Sequence, residues 1–429
     1  MPVVAAIGAQ WGDEGKGKVI DMLAENAKVV VRFSGGDNAG HTVINPLGKF
    51  ALQLVPSGIF YPEVLCIIGN GVALNLEGLI TEMDGLIERG IKINAQNLII
   101  SDRTNLIMPY HKLLDGLEEE SRGEDAIGTT RKGIGPAFSD KVARLGIRAG
   151  DLLDKNGFRE RLRVILEQKN AILVKLYGAA PLSLDAIYDE YCGYANRLVP
   201  HIREASIIVD EAINRNDPVL MEGAQGTLLD PDFGSYPYAT SSSPMAGNAS
   251  LGAGIGPTKI SKVIGIFKAY ITRVGAGPMP TKLDDETGKL IKDLGNEYGT
   301  VSGRPRSCGW FDAVAARFST RINGFTGAII NKLDILDTLP ILKICVGYNL
   351  DGKTIDYFPS TINALERCQP IYEEMPGWQT PTTDIRQFEE LPLEARRYIN
   401  RLEELISCPV HVISVGPERE QTIEVKPIY

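Results

Sequence analysis

Near the start of the chain a short apolar run, Val3 to Ile7, gives way to Gly8, Ala9, Gln10, Trp11, Gly12, Asp13, Glu14, Gly15, Lys16, Gly17 and Lys18. This pattern reads as a strand feeding a glycine-rich turn that opens a helix. Glycines reach φ > 0 and let the backbone approach a charged ligand, and the lysines put positive charge where the helix begins. The chemistry is that of a polyphosphate cradle. Gly12 and Gly17 are separated by four residues and followed by Lys18, the spacing of a Walker-type loop, but Val19 stands where a Mg²⁺-binding Ser or Thr belongs. A displaced metal ligand is implied, and Asp13 is the candidate. The competing reading is a tight strand-to-helix turn with solvated charges.

A second segment narrows the ligand. Phe325 to Ile330 reads as a buried strand ending in Asn331, Lys332, Leu333 and Asp334, the NKxD pattern of guanine-reading proteins. A carboxylate can accept two hydrogen bonds from the N1–H and exocyclic amine of guanine, which adenine does not offer. The stem of Lys332 can cover the base plane. A guanine nucleotide is expected.

Composition excludes other classes. Lys and Arg number 45 against 54 Asp and Glu, a net charge of −9, so no positive field draws in phosphate backbones or anionic membranes. Neither nucleic acid nor membrane is expected as a partner. Cys66, Cys192, Cys308, Cys345, Cys368 and Cys408 show no CxxC pairing and read as reduced, packed thiols, which fits a cytoplasmic protein. No signal peptide is read before the first strand, and no apolar run is long enough to span a bilayer.

Short apolar runs alternate with longer amphipathic ones. Val3 to Ile7, Lys28 to Arg32, Leu65 to Ile68, Leu98 to Ile100, Val219 to Met221, Val263 to Phe267, Ala328 to Ile330, Leu342 to Val346 and Val410 to Ser414 are expected strands. Helical patterns cover Leu76 to Arg89, Gly157 to Val174, Phe311 to Ile322 and Leu393 to Ser407. Alternation of this kind predicts an α/β fold with a large, mostly parallel central sheet flanked by helices. One domain spanning residues 1–429 is expected, with a helical subdomain at roughly 152–216. Ligands of such sheets sit beyond the carboxyl ends of the strands, where the glycine loop, NKLD and the SVGP segment from Ser414 would converge.

Taken together, QWGDEGKGK from Gln10, GGDNAGHT from Gly35, IGNGV from Ile68, IGTTRKGIGPAF from Ile127, EGAQGTLLD from Glu222, YPYATSS from Tyr236, TRVGAGPMPT from Thr272, SGRPRSCGW from Ser302 and NKLD from Asn331 resemble the adenylosuccinate synthetase family almost end to end. The resemblance implies a P-loop-GTPase-like nucleotide site and a Mg²⁺-dependent ligation of IMP to L-aspartate, driven by GTP, that releases GDP and phosphate. Oxygen 6 of hypoxanthine is a poor leaving group, and phosphorylating it lets an amine replace it. By similarity Asp13 removes the N1 proton of IMP and also touches the metal. His41 acts as an acid toward the phosphoryl oxygens, and Gln225 binds the developing 6-oxyanion.

The remaining roles carry over by position. Gly12, Gly15, Lys16, Gly17 and Lys18 resemble the family's phosphate contacts, with Thr42 near the GTP phosphates and the carbonyl of Gly40 joining Asp13 on Mg²⁺. Lys332, Asp334, Ser414 and Gly416 resemble its guanine pocket. IMP contacts fall on Asp13, Lys16, Asn38, His41, Thr130, Gln225, Thr240 and Arg304. Arg144 matches an arginine lent to the IMP phosphate of a neighbouring subunit, which implies a homodimer. Thr300, Val301, Ser302, Gly303, Arg304 and Arg306 resemble the loop that closes on aspartate, its arginines suited to carboxylates by their planar fork. Arg306 is also expected near GTP. Ser307 and Phe138 replace a basic residue and a tyrosine frequent in the family.

Two rivals remain open at this stage. One is a regulatory GTPase, which NKLD and the glycine loop also fit but which predicts Ser or Thr where Val19 stands. The other is a different GTP-dependent phosphoryl-transfer enzyme of similar fold.

Overall fold

The computed structural model describes residues 3–299 and 303–429. Ten strands form the central sheet: β1 (Val3–Gly8), β2 (Val29–Arg32), β3 (Leu65–Ile68), β4 (Leu98–Ser101), β5 (Ile202–Arg203), β6 (Val219–Glu222), β7 (Lys262–Lys268), β8 (Gly327–Asn331), β9 (Val410–Ser414) and β10 (Thr422–Glu424). Their spatial order is β10-β9-β8-β7-β1-β6-β2-β3-β4-β5. Every pairing is parallel except β9 with β10.

Burial on both faces explains why these strands read as unbroken apolar runs. In β1, Val3, Ala5 and Ile7 enter one core cluster while Val4 and Ala6 enter the other, on the opposite face. Residues 152–216 hold helices Lys155–Tyr177, Leu184–Leu198 and Ala205–Asn214, and also β5, which extends the sheet edge beside β4. Asp154 and Ser183 cap the first two by accepting backbone N–H groups of Asn156 and Ala186.

One expected strand takes a different place. Leu342 to Val346 lies within Ile341–Leu350, which pairs antiparallel with Gln369–Pro376 and Lys353–Ile355 in a separate four-stranded sheet. Apolar runs specify burial but not which sheet buries them. Among the described residues no helix is long and apolar enough to cross a membrane, and all six cysteines are free thiols, five of them buried.

Candidate active site

Six adjacent strands, β9-β8-β7-β1-β6-β2, deliver their carboxyl ends to one rim of the sheet. Beyond β1, Gly12, Asp13 and Gly15 all take left-handed conformations, with φ of 84°, 58° and 83°. Successive left-handed residues turn backbone N–H groups into an anion-binding nest at the start of helix α1 (Lys16–Ala24). The nest is held from inside by Glu14. Its buried carboxylate accepts from the backbone of Gln10 and Gly12 at 3.0 and 2.8 Å and pairs with Lys16 Nζ at 2.6 Å. Gly17 cannot carry a side chain, because a Cβ there would lie 2.6 Å from the carbonyl of Thr42. That close approach presses the hairpin His41–Asn45 and Gly48–Leu52 onto α1.

On the β8 and β9 side the residues expected to read guanine meet. Asn331 Nδ2 donates to the Glu14 carbonyl at 2.6 Å, tying NKLD to the glycine loop. Burial pushes the Asp334 carboxyl up to about 6, and its Oδ1 is buried without a hydrogen-bond partner among the described residues. Such an orphaned acceptor is what a base edge with two donors would satisfy. Lys18 departs from expectation. Its ammonium donates to Ser414 Oγ at 2.6 Å, Gly416 O at 2.9 Å and Gln421 O at 2.8 Å, so it braces the segment beyond β9 and does not point into the nest. Burial lowers its pKa to about 8.

On the β6 and β2 side, four hydroxyl and amide side chains form a chain. Gln225 Nε2 donates to Asn38 Oδ1 at 3.2 Å, Ser242 Oγ donates to Gln225 Oε1 at 3.3 Å, and Thr240 Oγ1 stands 3.4 Å from Ser242 Oγ. Gln225 is itself left-handed, φ 54°. His41 Nε2 lies 2.8 Å from Ser57 Oγ and 3.5 Å from Glu222 Oε1. Burial, with Arg32 and Lys16 nearby, lowers its pKa to about 3, so the imidazole is neutral near pH 7. Glu222 Oε1 and Arg32 Nη1 are buried, lack hydrogen bonds and stand 3.8 Å apart behind it.

Asp13 Oδ2 accepts from Arg306 Nε at 2.8 Å. Arg306, expected to meet aspartate, is therefore already paired inside the protein. Arg304 Nη1 donates to the Gly128 carbonyl at 3.1 Å, joining that loop to the segment carrying Thr130, whose own side is exposed. Glu119 organises the same segment by accepting from the backbone of Ile127, Gly128 and Thr129. Lys132, 4.0 Å from Asp37, sets it beside Asn38. Thr300, Val301 and Ser302 lie outside the described residues, and Gly303, left-handed at φ 63°, is exposed beside them. Arg144 lies apart from this rim. It is exposed and left-handed at the end of helix Ile134–Ala143, with no ion-pair partner among the described residues. Phe138, half-buried, packs with Ala73, Ile107, Ile134 and Ala137.

Glu14, Arg32, Ser57, Glu222, Ser242, Glu297 and Asn331 shape the site without having been assigned roles in it from the sequence. A signal for three of them was present: Arg32, Glu222 and Asn331 each close an otherwise apolar strand, and all are buried.

The adenylosuccinate synthetase family model matches residues 5–423. Adenylosuccinate synthetase of Dehalococcoides mccartyi is 59% identical over 423 residues, spanning 99% of this chain and 100% of that protein. The Heliobacterium modesticaldum protein of the same name is 54% identical over 424 residues, spanning 99% of each. A solved structure of fully ligated adenylosuccinate synthetase from Plasmodium falciparum matches with a TM-score of 0.93 at 34% identity, over 99% of this chain and 100% of that one. With sequence and fold agreeing along its whole length, this chain belongs to the adenylosuccinate synthetase family.

Proposed function

We propose that this protein ligates IMP and L-aspartate to adenylosuccinate at the expense of GTP, through a 6-phosphoryl-IMP intermediate, on the path from IMP to AMP. The observation that carries this reading is that the glycine loop holding Asp13 is tied on one side to NKLD, through Asn331 Nδ2 and the Glu14 carbonyl, and met on its second side by Gln225, which lies against Gly12 and belongs to the Asn38–Gln225–Ser242–Thr240 chain. A purine held on that second side presents oxygen 6 toward the nest that would hold the γ-phosphate.

Asp13 takes the N1 proton, leaving negative charge on oxygen 6, where the Gln225 amide stabilises it. That oxygen attacks the γ-phosphorus, the bond to GDP breaks, and the aspartate amine then displaces phosphate from carbon 6. His41 donates one N–H to the phosphoryl oxygens. The negative charge of bound phosphate opposes the field of Arg32 and Lys16 and so favours the protonated imidazole. Gly12, Gly15, Lys16, Gly17 and Thr42 hold the phosphates; Lys332, Asp334, Ser414 and Gly416 hold guanine, with Lys18 as their brace. Arg304 and Arg306 receive the carboxylates of aspartate, and Arg306 exchanges an internal partner to do so. Thr300 to Gly303 complete that loop.

Mg²⁺ suits the donors present. It keeps several waters and takes one or two carboxylates plus substrate phosphates, which fits Asp13, one of whose oxygens has no hydrogen bond among the described residues, together with the Gly40 carbonyl. When bound, Mg²⁺ neutralises charge on the β- and γ-phosphates. The cytoplasm is the compartment assigned, and the helices of residues 152–216 form a subdomain within one domain. A regulatory GTPase is disfavoured by Val19 at the Ser/Thr position and by the family match.

An absorbance assay for adenylosuccinate with purified protein, omitting IMP, aspartate, GTP or Mg²⁺ in turn, tests the assignment. Product must need all four. Phosphate release from GTP alone at the full rate would return the chain to the switch-protein class.

Arg144 is assigned to the IMP phosphate of the neighbouring subunit in a homodimer. Arg144→Leu subunits and Asp13→Ala subunits are each expected to be inactive at low IMP, and mixing them restores activity, because one site of the mixed dimer has both residues intact. Demonstrated subunit exchange without recovered activity would place Arg144 outside the IMP site.

The raised Asp334 carboxyl gives a pH dependence of defined sign. Its ionised acceptor is present above about 6 and is lost as pH falls through that value. The Kd for GDP is expected to be about tenfold higher at pH 5 than at pH 7 relative to an Asp334→Asn control, which removes the contribution of phosphate protonation. Identical profiles in titration calorimetry would separate Asp334 from the base.

A further inference from the structure

Behind the site, and unused by the steps above, lies one fully buried carboxylate surrounded by cations. Glu297 follows helix Glu286–Gly295 and opens the aspartate loop. Its Oε1 accepts from Lys332 Nζ at 2.7 Å, Tyr270 Oη at 2.5 Å and Lys268 Nζ at 3.0 Å; its Oε2 accepts from Arg306 Nη1 at 2.6 Å and again from Lys268 at 3.0 Å. Lys268 is fully buried, and Lys332 and Arg306 are largely covered. The three cations hold the Glu297 carboxyl far below the ordinary carboxylate range.

Each cation belongs to a different working part. Lys332 is the lysine of NKLD and also donates to the Gly295 carbonyl at 2.8 Å. Arg306 closes the aspartate loop, and its other edge holds Asp13. Lys268 ends β7, where its backbone exchanges hydrogen bonds with the Gln10 side chain of the glycine loop. The main chain repeats the link to the loop, since Arg306 N donates to the Glu297 carbonyl at 2.9 Å and a β-bridge joins Tyr298 to Pro305. Glu297 and Arg306 are thus paired at the loop base through backbone and side chain together.

We infer that Glu297 is a positioning residue whose single carboxylate registers the guanine-covering Lys332 against the aspartate-loop Arg306, so that the guanine and aspartate sites share one buried anchor. This deepens the proposed reaction and rests on it for the identity of the second ligand. One carboxylate facing three cations cannot release one without changing the charge felt by the others, and removing it leaves buried cations repelling each other. Among the described residues, no hydrogen bond joins the Asn38–Gln225–Ser242–Thr240 chain to Glu297. IMP binding should be the ligand least affected.

Glu297→Gln keeps the side-chain size and removes the charge. The Kd for GDP and the KM for aspartate at saturating GTP are both expected to rise at least about tenfold, and the KM for IMP to stay within about threefold. Lys332→Gln should then weaken GDP less in the Glu297→Gln background than in the wild type, the non-additivity of groups sharing one partner. Equal rises in all three constants would mark a merely structural residue, and unchanged GDP and aspartate constants would remove Glu297 from the site. Should Glu297→Gln fail to fold, Lys332→Gln alone cuts one arm of the anchor. It is expected to raise the KM for aspartate severalfold even at saturating GTP, and an unchanged aspartate KM overturns the inference. GDP binding needs no turnover, so a wild-type protein that makes no adenylosuccinate would condemn the reaction while the guanine arm is still judged by its own measurement.

Discussion

Asp13→Ala is expected to reduce adenylosuccinate formation at least about 10³-fold, within the range that a positioned base contributes and with a metal ligand lost as well. The fold should survive this change. Arg306 loses its 2.8 Å partner but keeps the 2.6 Å bond to Glu297, so no buried cation is stranded. Nor does the backbone need Asp for shape alone, although alanine tolerates the left-handed φ of 58° less well. Asp13→Asn separates the two effects, because it retains a short polar side chain suited to that conformation while removing the charge. The decisive measurement is steady-state turnover alongside IMP binding by calorimetry. Turnover falling by orders of magnitude with IMP affinity changed by only a few fold assigns Asp13 to the chemistry, whereas turnover within tenfold of wild type would strip it of the base role. His41→Asn, by the same assay, is expected to cost about 10²-fold, the usual contribution of a positioned acid.

Asp334→Asn is expected to change which base is read. The buried Oδ1 of Asp334 has no hydrogen-bond partner among the described residues, and the desolvated carboxylate stands near Lys332 and Lys18, so guanine donors would meet an acceptor left open to them. An amide places N–H where an acceptor is required. GTP should weaken by about 1–3 kcal/mol, roughly five- to 150-fold, while xanthosine triphosphate, which presents a carbonyl in place of the exocyclic amine, becomes the better substrate. Competition between the two nucleotides in the adenylosuccinate assay reads the exchange directly. If GTP affinity is unchanged, the base is bound elsewhere and Asp334 is a structural carboxylate.

Much of the site was legible because its chemistry is local in sequence. The glycine loop needs left-handed residues and positive charge within a dozen positions of one strand, and NKLD needs its residues within one turn after another strand. Both are properties of contiguous chain. The expected strands Leu65 to Ile68 and Val410 to Ser414 match their observed bounds, because buried parallel strands leave an unbroken apolar signal. The short hairpin of His41 and Thr42 left none, since its two five-residue strands, HTVIN and GKFAL, bury only Val43, Phe50 and Leu52 and carry no unbroken apolar run.

What the amino-acid sequence determined by itself was the inventory: an α/β chain, a glycine-rich loop after its first strand, an NKLD segment after another and the residues of a ligase family. Tertiary structure alone decided who partners whom. Lys16 and Lys18 are two positions apart and identical in composition, yet one pairs with Glu14 in the nest and the other reaches Ser414 and Gln421 at the far side of the site. Their directions diverge because residues two apart on a helix point to different faces. Arg306, expected from the sequence to meet aspartate and to lie near GTP, is held by Asp13 and by Glu297, groups 293 and 9 positions away. Buried charges must be paired wherever the fold brings an opposite charge within reach, and no spacing along the chain encodes that reach.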